Sequence, residues 1–176
     1  MLFAGGERLL YIFQEVILMF KKIVFLCVLL CTSVVSYANT ATPFSGELST
    51  AALIADYPKF EQQYQAFTPS AEELTAMQQL AGKELVVLFG TWCHDSQREV
   101  PRLLKLLEQS KVNIKSLKLV AVGYDKRDPQ GIAEHYNLKY TPTIIVLDEG
   151  EELTRVIETP THSLAQDLSQ QSAVKK

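Results

Sequence analysis

The apolar residues of the chain include continuous runs that are too short to be typical helices. "KELVVLFG" from Lys83 and "LKLVAVGYD" from Leu117 are rich in branched apolar residues, which is typical of strands buried on both faces. "TPTIIVLDEGEELTRVIET" from Thr141 has two such stretches around a turn at 148–150, a pattern that predicts a β-hairpin. The sequence therefore predicts two buried strands followed by an antiparallel pair.

Around these runs, apolar residues recur at the spacing of amphipathic helices. Ser70 and Glu73 form a candidate capping box, and Asp128 with Pro129 suits the first turn of another helix. The predicted helices span 49–67 with a break near Pro58, 70–82, 93–109, 128–138 and 161–170. Helices and strands in this order predict an α/β protein with a mixed central sheet flanked by helices.

The N-terminal region has the pattern of a secretory signal peptide. Met19 is a second possible start, followed by Lys21 and Lys22, an apolar run from Ile23 to Val35, and a small-residue site ending at Ala38. The apolar run is shorter than the ~20 residues of a membrane span. We therefore expect residues 1–38 to be a signal peptide, and the mature protein to be periplasmic or secreted without stable membrane insertion. The alternative is an uncleaved N-terminal anchor.

After the leader, residues 39–48 are predicted to be a linker, 49–82 an N-terminal helical extension, and 83–172 the main domain. The net charge of −3 gives no indication of a nucleic-acid partner. Cys27 and Cys31 fall within the predicted leader, so the mature chain keeps only Cys93 and has no internal disulfide. One cysteine and scattered histidines do not make a zinc site, and we predict neither a metal nor a cofactor.

Cys93 belongs to a recognisable constellation. It follows Trp92 at a strand-to-helix junction, Pro101 lies further along the helix, and "TPT" from Thr141 opens the hairpin. Together these residues resemble the thioredoxin family, and the resemblance covers roughly 83–170. It implies the thioredoxin fold, with Cys93 as the nucleophile. It also implies that Pro142 is a cis-proline facing that cysteine, so that the backbone of Thr141 can pair with an extended substrate.

Elementary chemistry agrees with that role for Cys93. A thiol attacks only as the thiolate, and a helix N-terminus offers unpaired N–H groups and a positive dipole end that favour the anion. Trp92 would shield one side of the site or simply fill the core. His94 and Asp95 occupy the two variable positions, where a cationic His94 favours the thiolate and Asp95 opposes it. Arg98 and Glu99 are read as a solvated helix face.

Two positions depart from the family pattern. Val87 stands where thioredoxins carry a buried acid, and Ser96 stands where most members have a second cysteine. Cys93 can form a mixed disulfide with a substrate, but a hydroxyl at Ser96 cannot resolve it. Release must then come from a substrate thiol, glutathione or another protein. Ser96 is left with the role of a hydrogen-bond donor that stabilises the thiolate.

The favoured interpretation is an exported monothiol exchange protein, of isomerase, monothiol-exchange or deglutathionylation type. Its catalytic residues are Cys93 and Ser96, and its predicted substrate-binding residues are Trp92, His94, Asp95, Thr141 and Pro142. The expected partners are protein thiols and disulfides or glutathione mixed disulfides, and the chain is expected to be a monomer or a Cys93-linked dimer. One alternative is a catalytically silent module that binds a peptide or client. A third is covalent dimerisation through Cys93, or a Cys93 thiolate shared between two chains as the ligand of a metal or cluster.

Overall fold

The computed structural model describes residues 13–22 and 42–170. Residues 13–22 are helical with every residue exposed, and they belong to a unit separate from the one that begins at Ala41. Among the described residues, no helix is both long enough and apolar enough to span a bilayer. Most of the predicted signal peptide, including its apolar run from Ile23 and the cleavage site at Ala38, lies outside the described residues.

A mixed sheet of five strands forms the centre of the second unit, in the order β1-β3-β2-β4-β5. β2 and β3 run parallel, and every other neighbouring pair is antiparallel. The strands are β1 Gly46–Leu48, β2 Glu84–Phe89, β3 Ser116–Ala121, β4 Thr143–Asp148 and β5 Glu151–Ile157. The predicted mixed sheet flanked by helices, with its C-terminal hairpin, is confirmed.

The helices lie close to where the sequence predicts them. They are α1 Thr50–Asp56, α2 Pro58–Ala66, α3 Ala71–Met77, α4 His94–Ser110, α5 Ile132–His135 and α6 Leu164–Ser169. The chain leaves the helical conformation at Tyr57, because a residue before proline disfavours it. Ser70 and Glu73 form the predicted capping box. α4 continues through Pro101, so one long helix carries the stretch that follows Cys93.

Two segments differ from the sequence-based expectations. β1 falls inside the predicted linker, where its three residues pair antiparallel with β3, a strand too short to show a periodic pattern. α5 has only four residues, because Gly131 takes a left-handed conformation with φ 73° and interrupts the predicted helix after Pro129. Asp128 still acts as a cap, since its carboxylate accepts from the backbone N–H groups of Gln130, Ile132 and Ala133.

The sheet places alternate residues on opposite faces. Leu85, Val87 and Phe89 of β2 join a large core with buried residues of α1, α2, α3, α4 and α6. Val86 and Leu88 join a smaller cluster with residues of β3 and β4, which is covered only by Ile132, Tyr136 and Leu138. α4 packs in the larger core, and this packing sets the position of its first turn relative to the sheet.

Candidate active site at Cys93

Cys93 is the N-cap residue of α4. It lies three residues after Gly90, the residue that follows the end of β2. Its backbone is extended, with φ −82° and ψ 127°, and its carbonyl accepts the first hydrogen bond of the helix from Gln97 N. Cys93 N in turn donates to Gly90 O at 3.0 Å. The cysteine is free and half-buried, and it stands at the start of the helix.

The sulfur contacts the segment that opens the hairpin. Cys93 Sγ donates to the carbonyl oxygen of Thr141 at 3.1 Å. The Thr141–Pro142 peptide bond is cis, the geometry that the thioredoxin resemblance implies, and both residues are buried. The structure thus brings together Cys93, Thr141 and Pro142, although 48 positions separate Cys93 from Thr141.

The Cys93 side chain does not cap its own helix. Cys93 Sγ accepts no cap hydrogen bond from the first turn of α4, and the side-chain contact found for it among the described residues is the one with Thr141 O.

Ser96 is fully buried one turn into α4. Its Oγ accepts from the backbone N–H of Gly90 at 3.2 Å. No hydrogen bond found within residues 42–170 joins Ser96 to Cys93. Ser96 instead attaches Gly90, in the segment that leads to the cysteine, to α4. A role for Ser96 as a donor to the thiolate stays a prediction.

Trp92 is locked in place on one side of the site. Its Nε1 donates to Val122 O at 3.2 Å, and its ring centroid lies 5.1 Å from that of Tyr124. The indole also covers Gly90 closely, because a Cβ atom at Gly90 would lie 2.7 Å from Trp92 Cε2. Trp92 is half-buried against the end of β3, and its shielding of the cysteine stays a prediction.

His94 and Asp95 differ in exposure and in their partners. The His94 side chain is 87% exposed and its Nδ1 lies 3.8 Å from Asp95 Oδ1. The same carboxylate oxygen pairs with Arg98 Nη2 at 2.9 Å. The carboxylate of Asp95 is therefore paired with a cation of its own helix.

The interpretation of Arg98 and Glu99 as a solvated helix face is wrong for Glu99. Its side chain is only 2% exposed, and its Oε1 accepts from Arg98 Nε at 2.6 Å and Arg102 Nη1 at 3.3 Å. The hydrogen bond that Arg98 donates to Glu99 is the main reason that the pKa of Arg98 is raised. Asp95, Arg98, Glu99 and Arg102 therefore form a chain of alternating charges along α4. The sequence pattern missed it because a run of charged residues usually lies in solvent.

Sequence reasoning also missed part of the rim of the site. Glu158 N donates to Pro142 O at 2.8 Å, and Ile157 lies opposite Thr143 with 44% of its surface exposed. Tyr140, next to Thr141, is 53% exposed. The hairpin register would have identified Ile157, but a β-bulge between Val146 and Leu147 shifts that register, and the sequence carries no clear signal for it. Among the described residues, no three His, Cys, Asp or Glu side chains converge as a metal site.

Comparisons with known proteins bear on the fold alone. No family model matches the sequence, and no curated protein is similar to it. Among solved structures, a protein of unknown function from Pseudomonas aeruginosa is 20% identical with a TM-score of 0.51, over 68% of this chain and 75% of that one. This score at this identity indicates a shared fold.

Two further structures are more distant. A chain from a study of thiol resolution in a yeast mitochondrial 1-Cys peroxiredoxin is 24% identical with a TM-score of 0.36, covering 53% of this chain and 85% of that one. Mitochondrial thioredoxin 3 from Saccharomyces cerevisiae is 20% identical with a TM-score of 0.34, covering 54% and 86%. At these scores the two likenesses add nothing to the argument from topology.

The fold and the site together define a class of protein. A parallel β2-α4-β3 unit is followed by an antiparallel hairpin and a final helix, and a cysteine caps the first helix of that unit opposite a cis-proline. The protein has the thioredoxin fold, with an N-terminal helical extension formed by α1, α2 and α3.

Proposed function

We propose that the protein carries out thiol–disulfide exchange with Cys93 as its single nucleophile. The observation that carries this proposal is the position of a half-buried, free thiol at the start of α4, with its sulfur 3.1 Å from the carbonyl of Thr141. A nucleophile beside the backbone that opens a strand is suited to a substrate chain that lies across it. The exposed side chain of Ile157 extends that surface.

The proposed chemistry proceeds through a mixed disulfide. The Cys93 thiolate, after its proton has gone to solvent, attacks one sulfur of a substrate disulfide. A bond forms between Cys93 and that sulfur, the substrate S–S bond breaks, and the other sulfur leaves as a thiolate that takes a proton. Ser96 cannot attack in turn, because it has a hydroxyl that is fully buried and bound to Gly90 N–H. An external thiol, from glutathione or a protein, then regenerates Cys93.

Export is part of the proposal. The leader-like pattern that ends at Ala38 supports cleavage there and a periplasmic or secreted mature protein, where substrate disulfides persist. N-terminal sequencing of the protein recovered from its host tests this directly. A mature chain that begins at Asn39 agrees with the proposal, whereas an intact N-terminus in the cytoplasm contradicts it.

The catalytic proposal is tested with the full chain and a glutathione mixed disulfide of a reporter peptide, with glutathione as the resolving thiol. We expect the protein to accelerate release of the reporter and Cys93→Ser to abolish the acceleration. Cys27→Ser/Cys31→Ser is the matched control, because it removes the other two cysteines and keeps Cys93. Loss of activity in the control, with activity retained in Cys93→Ser, would assign the chemistry to the leader cysteines.

A second candidate function, a client-binding module without turnover, is favoured by one observation. The Cys93 thiol already donates to Thr141 O, an internal contact that the sulfur must give up before it reacts. The same two variants separate the candidates. If the protein is a binding module, Cys93→Ser binds an unfolded reporter as well as the natural protein does, and neither protein accelerates exchange.

A further inference from the structure

A recess opens between α2 of the helical extension and the first turns of α4. It has a volume of about 220 Å³ and is lined by Lys59, Gln62 and Gln63 of α2 and by His94, Gln97 and Arg98 of α4. His94 follows Cys93 directly in the chain. One wall of this recess thus belongs to the helix that carries the nucleophile, and the other to the extension that precedes the main domain.

The chemistry of the lining is suited to an anion. The six side chains are three basic groups and three amides, and none of them is acidic. Arg98 is already paired with Asp95 and Glu99, which leaves Lys59 as the basic group that joins no salt bridge among residues 42–170. The His94 side chain is 87% exposed, and its Nδ1 faces Asp95 Oδ1 at 3.8 Å, which leaves Nε2 as the ring nitrogen that can meet a ligand.

The amide groups add directional donors to this charge. Gln97 Nε2 donates to the carbonyl of Thr91 at 2.9 Å, which fixes the orientation of one amide at the wall nearest the cysteine. Gln62 is exposed and Gln63 half-buried on α2, and each carries an N–H₂ group that can donate to a carboxylate oxygen. Donors from two helices therefore surround a space next to the nucleophile.

The size of the recess limits what it can hold. Pockets for drug-sized ligands are about 300–1,000 Å³, and a recess of about 220 Å³ is smaller than that range. It has room for one end of a small molecule. A carboxylate on a short backbone combines an anion with that size, and it is carried by low-molecular-weight thiols such as glutathione.

We propose that this recess binds a carboxylate of a small thiol compound while the sulfur of that compound reacts at Cys93. The proposal rests on the proposed exchange function and names its low-molecular-weight substrate class. In the step concerned, the Cys93 thiolate attacks one sulfur of glutathione disulfide, the Cys93–glutathione disulfide forms, and one glutathione thiolate leaves and is protonated by solvent. The recess holds the substrate and takes no part in the bond changes.

The experiment compares two disulfides in the full chain with Cys27→Ser/Cys31→Ser as the background, so that only Cys93 reacts. Glutathione disulfide carries carboxylates, whereas cystamine has the same S–S bond and no carboxylate. The formation of the Cys93 mixed disulfide is followed by mass spectrometry at low ionic strength. Lys59→Glu reverses the charge in the recess. Lys118→Glu makes the same change at an exposed lysine of β3 and is the matched control.

We expect Lys59→Glu to lower the rate constant with glutathione disulfide by about fivefold, the upper range for an exposed ion pair, and to leave or raise the rate constant with cystamine. Lys118→Glu should change neither rate by as much as twofold. Lys59→Gln, which should lower the glutathione disulfide rate by a smaller factor, gives the same comparison if the reversed charge disturbs α2.

Three results would overturn the inference. Lys59→Glu and Lys59→Gln could leave the glutathione disulfide rate unchanged, they could slow both disulfides equally, or Lys118→Glu could match the effect of Lys59→Glu. A background protein that reacts with both disulfides and shows any of these results removes only the recess from the argument. A background protein whose Cys93 reacts with neither disulfide contradicts the proposed exchange function itself.

Discussion

The two faces of the central sheet are covered very unequally. Five helices pack on the face that includes Leu85 and Phe89, and their buried side chains form one continuous core. The opposite face, which includes Val86 and Leu88, is covered by the single-turn helix α5 and two residues that follow it, Tyr136 and Leu138. The first face is covered by packed helices, whereas the second is covered by a few side chains.

This difference bears on the stability of the helix that carries Cys93. α4 carries Cys93 at its first turn and packs in the larger core through Val100, Leu103 and Leu106. Local openings occur where few apolar groups are buried, so we expect α5 to open more readily than α4. The nucleophile is thus attached to the more stable of the two faces.

The largest expected effect is on the well-covered face. Leu106→Ala removes a fully buried side chain and should lower the free energy of unfolding by about 2–5 kcal/mol. Ile132→Ala, its counterpart on the thin face, truncates a half-buried side chain and should cost about 1 kcal/mol. Urea denaturation measures both. An equal loss in the two variants would contradict the difference between the faces.

A smaller effect is expected from the charges within the well-covered side. Glu99 Oε2 and Arg102 Nε are buried without a hydrogen-bond partner, and Glu99 also holds Arg98 and Arg102 through Oε1. Glu99→Ala leaves two arginines without their shared carboxylate and should lower the free energy of unfolding by about 1–3 kcal/mol.

Asp95→Asn is the control for Glu99→Ala, because it removes the more exposed carboxylate of the same chain of charges. It should cost no more than about 1 kcal/mol. If urea denaturation gives Asp95→Asn the larger cost, the buried position of Glu99 has no energetic importance.

The smallest effect is confined to alkaline pH. Burial, and then the hydrogen bond that the Tyr64 hydroxyl donates to Glu108, raise the pKa of Tyr64 from 10.0 to about 12. A group whose pKa is raised on folding contributes its stability fully below its unfolded value and loses it as the pH rises through the folded value. Stability should therefore fall between pH 10 and pH 12.

Tyr64→Phe should reduce this alkaline fall, as measured by urea denaturation at pH 8 and at pH 11, since phenylalanine does not titrate. Glu108→Ala should reduce it less, because burial, the larger cause of the raised pKa, remains. An alkaline fall that is the same in the natural protein and in Tyr64→Phe would show that other groups cause it.

Much of the fold could be predicted because its signals are local. Ser70 and Glu73 cap α3 with their own backbone, and Pro58 interrupts the helical region at a known position. The apolar runs of β2 and β4 are long enough to be recognised. β1 could not be predicted, because three residues become a strand only through their pairing with β3.

The candidate site shows the same division. The position of Cys93 at a helix start follows from the residues around it, and its proximity to Thr141 follows from the family resemblance. The burial of Glu99 is a product of tertiary packing, in which its partner Arg102 also lies over the ring of Phe67 at 5.4 Å. The recess at Lys59 likewise depends on the packing of two helices, and residue type alone does not reveal such packing.

β1 has an effect on how this molecule can associate. An unpaired border of a sheet is a template to which another chain can add a strand. β1 pairs with β3 from Leu119 to Ala121 and takes the border position there with a strand of only 3 residues. Within residues 42–170, β5 is the other outermost strand, and it has 7 residues. Two copies that join edge to edge through their sheets would therefore have more backbone groups to pair along β5 than along β1.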